Sequence, residues 1–65
     1  MRINGAEREL TASNLVCLLE QLGYGSDRSG IAVAVNGQVV PRSSWAERQL
    51  QAEDDIEIVG AVQGG

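Results

Sequence analysis

The sequence contains no histidine, no lysine and no phenylalanine, one cysteine, one proline and two aromatic residues, Tyr24 and Trp45. Without histidine the chain lacks the side chain most used for proton transfer near neutral pH. With Cys17 as its one soft ligand, zinc sites and histidine-based triads are excluded. A lone cysteine cannot form an internal disulfide, which suits a reducing compartment, and the expected location is the cytoplasm. Positive charge is also scarce: five Arg stand against nine Asp and Glu, for a net charge of −4. That is the wrong sign for tracking a phosphate backbone, so nucleic acid is not an expected partner. Apolar runs such as Leu15 to Leu19 reach only five residues, far short of the ~20 that span a bilayer. Charges at Arg2, Glu7, Arg8 and Glu9 interrupt any secretory signal. No membrane association is expected.

What remains is a chain of 65 residues, 43% apolar, read as a single domain over residues 1–65 with 60–65 as an extended tail. A chain of this size buries ~60% of its unfolded surface. Its core must come from Leu, Ile, Val and Ala, which leaves no room for a large enzyme pocket.

Two Asn-Gly pairs, Asn4–Gly5 and Asn36–Gly37, favour the positive φ angles of two-residue type I′ hairpins. The first joins Met1 to Ile3 with Ala6 to Leu10, and the second joins Ile31 to Val35 with Gln38 to Val40. In the second, Ile31, Val33 and Val35 share one face and Ala32 and Ala34 the other. Between the hairpins, Leu15, Leu18, Leu19 and Leu22 fall on one helical stripe. Ser13 or Asn14 supplies the N-cap, and Gly23 marks the helix end. A helical turn is expected around Trp45, an acidic turn at Glu53, Asp54 and Asp55, and a last strand over Ile56 to Val59. The expected fold is α+β, one sheet covered by one helix.

Among residues that could carry chemistry, Cys17 lies near a helix start, where the dipole favours thiolate. With no Lys, His or second Cys beside it, it reads as a small structural residue. Glu53, Asp54, Asp55 and Glu57 lack the ligand spacing of a calcium loop and read as a solvated turn. Gly23, Gly25 and Gly30 follow a helix rather than a strand, and Arg28 breaks the phosphate-loop pattern. Trp45 reads as core or rim anchor, and Arg42 as a solvated or carbonyl-bonding side chain.

The terminal Gly64 and Gly65 stand apart. They close a nearly uncharged segment, Gly60 to Gly65, that leaves directly from the last strand. Six extended residues reach about 20 Å, far enough to place a carboxylate in another protein's active site. Glycine passes where a β-carbon would block. A carboxylate resists nucleophilic attack until it is converted to an acyl donor, such as a mixed anhydride with AMP. The domain has no evident catalyst for that step. The expectation is therefore a substrate-like carrier rather than an enzyme, with no catalytic residues and no metal.

The helix segment SNLVCLLEQLG, the stretch VNGQVVPRSSW, the acidic turn before IEIVGAVQGG and the closing glycine pair together resemble the ubiquitin-like sulfur carriers, most closely the ThiS family of thiamine thiazole biosynthesis. The resemblance runs essentially end to end. It implies a β-grasp fold, a mixed sheet of four to five strands under one main helix, with the first and last strands adjacent and parallel near the middle of the sheet. It implies an activating partner of the ThiF type that uses ATP to adenylate the Gly65 carboxylate, the chain itself binding no cofactor. Persulfide sulfur from a cysteine desulfurase then yields a thiocarboxylate, which thiazole synthase of the ThiG type consumes. On that reading Gly65 carries the sulfur and Gly64 gives access. Val59, Gly60, Ala61 and Val62, with the exposed sheet face, meet the partners. Gln63 stands where the family often has Ala or Ile. Three alternatives share these features: a molybdopterin synthase small subunit, a ubiquitin-like modifier that forms isopeptide bonds through Gly65, and a β-grasp interaction module that makes no use of its end.

Overall fold

The computed structural model of the protein describes residues 1–24 and 30–60. Strands β1 (Arg2–Ile3) and β2 (Ala6–Glu7) precede helix α1 (Leu15–Gln21). Strands β3 (Ile31–Val35) and β4 (Gln38–Val40), a 3-10 turn (Arg42–Ser44) and strand β5 (Asp55–Gly60) follow. The five strands form one mixed sheet in the order β2-β1-β5-β3-β4. β5 runs parallel to β1 and antiparallel to β3, so the last strand occupies the centre.

Both Asn-Gly pairs close the expected hairpins. Asn4 and Asn36 each have φ of 53°, and Gly5 and Gly37 follow at 83° and 84°, the left-handed pair that a type I′ turn requires. The second hairpin has its expected length and register, with Val33 opposite Val40 and Val35 opposite Gln38. The first is shorter than expected. Its return strand stops at Glu7 instead of Leu10, because the chain turns away to place partly buried Leu10 and Ala12 against the core. The Met1 ammonium donates to Glu7 Oε2 at 3.0 Å and to the Arg8 carbonyl, closing the open end of the pair.

Helix α1 is capped by Asn14, the second of the two candidates, whose Oδ1 accepts from the Cys17 N–H at 2.8 Å. At the other end Gly23, at φ 94°, donates to the Glu20 carbonyl and Tyr24 donates to Leu19. These are the paired bonds of a Schellman motif. Leu15, Leu18 and Leu19 are fully buried, and Leu22 is half-buried at the stripe's end. Two turns of helix do not persist in isolation. The helix is held by laying these leucines on Ile3, Val33, Val35, Val40, Ile56 and Ile58, the inward side chains of the sheet. Each such leucine contributes roughly 1.5–3 kcal/mol over leaving it in water.

Trp45 seals this layer. It is 3% exposed, and its indole N–H donates to the Val40 carbonyl at 2.9 Å, so the polar atom that burial would orphan is satisfied. Beyond it Leu50 donates to the Ser13 carbonyl and Gln49 bridges to Asn14, tying the return segment to the helix start. No helix among the described residues is long and apolar enough to cross a membrane.

Candidate functional site at the root of the terminal strand

β5 is the element that leads to the chain end. It is paired on both sides, and its hydrogen-bonded register runs to Gly60, opposite Ile31. The strand is thus one residue longer at each end than the Ile56 to Val59 of the sequence reading. Gly60, read there as the first residue of the tail, is its last strand residue. Gly64 and Gly65, together with Ala61 and Val62, lie outside the described residues. So does the Gly25 to Arg28 part of the rejected phosphate loop.

Alternation along β5 sorts its side chains between the two faces of the sheet. Ile56 and Ile58 point into the core, while Asp55, Glu57 and Val59 point to the face that the helix does not cover. On that open face Val59 lies opposite Ala32, and Glu57 opposite Ala34. Ala34 is flanked on its other side by Val39. Val39 is 73% exposed and Val59 59%, and the small alanines between them leave a shallow apolar strip bordered by carboxylates. Val59 and Gly60 are therefore exposed. Val39 was missed, although pairing Val40 with core residue Val33 forces its neighbour outward.

At the same end of the sheet as Gly60, β4 runs into Pro41 and Arg42. The Arg42 guanidinium sits 5.9 Å from the centroid of the buried Trp45 ring, within the range of a cation–π contact. Trp45 is thus core, and Arg42 is an exposed cation stacked on it rather than a freely solvated side chain.

Two asparagines hold β5 in register. On one side the Asn4 N–H donates to the Ile56 carbonyl at 2.8 Å, and Asn4 Oδ1 accepts from the Ile58 N–H at 2.8 Å. On the other the Asn36 N–H donates to the Asp55 carbonyl at 2.8 Å, and Asn36 Oδ1 accepts from the Asp55 N–H at 3.0 Å. Each turn residue therefore extends its hairpin's ladder onto β5 through its side chain. The Asn-Gly pattern signals the turns, but nothing in the sequence marks this second role.

The acidic turn requires a correction. Asp54 is buried, not solvated. Its Oδ2 accepts from the Gln51 N–H at 2.8 Å and its Oδ1 from Asn36 Nδ2 at 3.0 Å. Its carboxyl is held below the ordinary carboxylate range, chiefly by the Gln51 backbone bond. Burial opposes this, and Asn36 and the Arg48 charge assist. Glu53, Asp55 and Glu57 are exposed. Among the described residues no three His, Cys, Asp or Glu side chains come together as a metal site.

Cys17 lies half-buried on α1, on the side of the sheet opposite Val59. Its Sγ is 3.7 Å from Gln21 Nε2, which also donates to the Thr11 carbonyl. The thiol is thus not brought to the strand that leads to the tail.

A mixed sheet with parallel first and last strands side by side, crossed on one face by a single helix, is the ubiquitin-like β-grasp. The crystal structure of a ThiS thiamine biosynthesis protein from Geobacter metallireducens shares it, with a TM-score of 0.80, 24% identity, and coverage of 98% of this chain and 96% of that one. The chain belongs to the ThiS family, whose family model matches residues 1–65. It is 42% identical over 48 residues to the sulfur carrier protein ThiS of Escherichia coli, covering 74% of this chain and 70% of that protein. It is also 42% identical over 64 residues to a thiazole synthase of Paramagnetospirillum magneticum. That match covers 97% of this chain but spans only 19% of the synthase.

Proposed function

We propose that this chain is a sulfur carrier of thiamine biosynthesis, a protein co-substrate whose working group is the Gly65 carboxylate. The observation that carries the reading is the placement of β5. The strand is central and clamped from both sides, and it ends at Gly60 beside an exposed apolar strip. Membership of the ThiS family agrees with it. A strand root held by β3 as far as Gly60 lets a partner grip the globule and draw the following glycine-ended segment into its own active site.

The chemistry follows from the carboxylate. A ThiF-type partner lets a Gly65 oxygen attack the α-phosphorus of ATP, expelling pyrophosphate and leaving an acyl-adenylate. A persulfide sulfur supplied by a cysteine desulfurase attacks the acyl carbon and expels AMP. Cleavage of the remaining S–S bond by a thiol leaves the thiocarboxylate. That soft nucleophile is passed to thiazole synthase, a pairing supported by the thiazole synthase that contains a segment similar to this chain. Gly64 leaves space around the reacting carbon. Val59, Gly60, Ala61 and Val62 form the contact next to it, and Val39 extends that contact across the sheet. The chain supplies no catalytic residue and binds no cofactor; ATP belongs to the partner, and the reactions run in the cytoplasm.

Intact-mass measurement tests this after incubation with ATP, an adenylating partner and a sulfur donor. The expected product is heavier by the exchange of one oxygen for sulfur, and deleting Gly65 or adding a residue after it abolishes the gain. Sulfur delivery from the loaded chain to a pterin precursor, with none to a thiazole, would reverse the choice of pathway.

A further inference from the structure

The two Asn-Gly turns carry a chemical liability independent of the sulfur-carrier reading. The backbone nitrogen of the glycine can attack Cγ of the asparagine, forming an N–Cγ bond while the Cγ–Nδ2 bond breaks and ammonia leaves. Water then opens the cyclic imide to aspartate or isoaspartate, with no oxidant or reductant required. A following glycine favours the attack because it has no β-carbon to shield its nitrogen. Asn4, Gly5, Asn36 and Gly37 are all exposed, and neither glycine has a neighbour within 4 Å of where a β-carbon would sit. With matching φ angles in the two turns, the local backbone does not distinguish them.

Their amide groups do. Asn36 is held at both ends, Oδ1 by the Asp55 N–H and Nδ2 by buried Asp54, each at 3.0 Å. Cγ cannot swing toward Gly37 without breaking both bonds, one of them to a carboxylate. Among the described residues Asn4 is held through Oδ1 alone, by the Ile58 N–H, in a hairpin whose strands are two residues each.

The aspartyl products differ in the opposite sense. At position 4 a carboxylate still accepts from Ile58. At position 36 the donor to Asp54 is gone, and two carboxylates face one another with Asp55 alongside. We propose that Asn4–Gly5 is the deamidation site of the folded protein, and that Asn36–Gly37 is a guarded site whose conversion destabilises the fold by setting two carboxylates against each other where this turn meets the start of β5.

The full chain is incubated at mildly alkaline pH, folded and in denaturant, and cleaved after arginine. Arg8, Arg28 and Arg42 then place the two asparagines on separate peptides. In denaturant both sites convert at comparable rates. In the folded chain Asn4 converts roughly tenfold or more faster than Asn36, as expected when a further charge-assisted hydrogen bond must open first. In thermal melts N36D falls by roughly 10 °C while N4D stays within a few degrees. The double variant N36D/D54N, which exchanges donor and acceptor across the same contact, recovers most of the loss. Equal folded-state rates, a faster Asn36, an N36D melt matching N4D, or an N36D defect that the exchange does not repair would each overturn the proposal.

Discussion

Asp54 shows how much one side chain can alter the meaning of a charge run. Its carboxylate closes the turn onto Gln51 and bonds Asn36, so a group that looks solvated is a structural acceptor for two donors. Because its folded-state carboxyl is held below the ordinary value, its contribution is fully present above the unfolded pKa of about 3.9. That contribution is lost as pH falls through the lower folded value. Acid titration of thermal stability should therefore show a stabilising component that disappears in this window, and an Asp54→Ala variant should lack it. The same variant should lose about 1–3 kcal/mol at neutral pH, since two donors lose their partner. Urea denaturation at pH 7 measures that loss.

At the scale of elements, α1 depends on its cap and its buried stripe. Asn14→Ala removes the acceptor for the Cys17 N–H and should cost about 1 kcal/mol, read as a lower urea midpoint with unchanged slope. Leu18→Ala empties a fully buried position between helix and sheet and should cost about 2–5 kcal/mol, the usual range for core leucines cut back to alanine. In a domain this small, that is a large part of the total stability. The hairpins divide the work differently. β3–β4 supplies Val33, Val35 and Val40 to the core, whereas β1–β2 contributes Ile3 and pairs the edge of β5.

For the whole molecule, the decisive arrangement is a central terminal strand with one face buried and one open. Val59 contributes to the open face and not to the core. Val59→Arg should therefore leave the melting temperature nearly unchanged, as surface changes do. It should also slow sulfur loading by an adenylating partner about tenfold, the loss expected when a buried interface side chain is removed. Melting curves and initial loading rates on the same sample separate the two effects. If loading is unaffected, the open face is not the docking surface, while the role of Gly65 is still decided by the deletion and extension measurements.

The sequence by itself determined the elements whose causes are local. Asn-Gly sets both turns, a 3.6-residue leucine period sets α1, and alternation sets the inward face of β3. The glycine-ended segment and the family resemblance were legible in the same way. Other long-range contacts were not. Pairing β5 with β3, stopping β2 at Glu7 and burying Asp54 each depend on residues distant in the chain, as does the Ile58-to-Asn4 bond across 54 positions. Local propensity carries no term for such contacts, because a side chain's burial is decided by what the folded sheet sets opposite it.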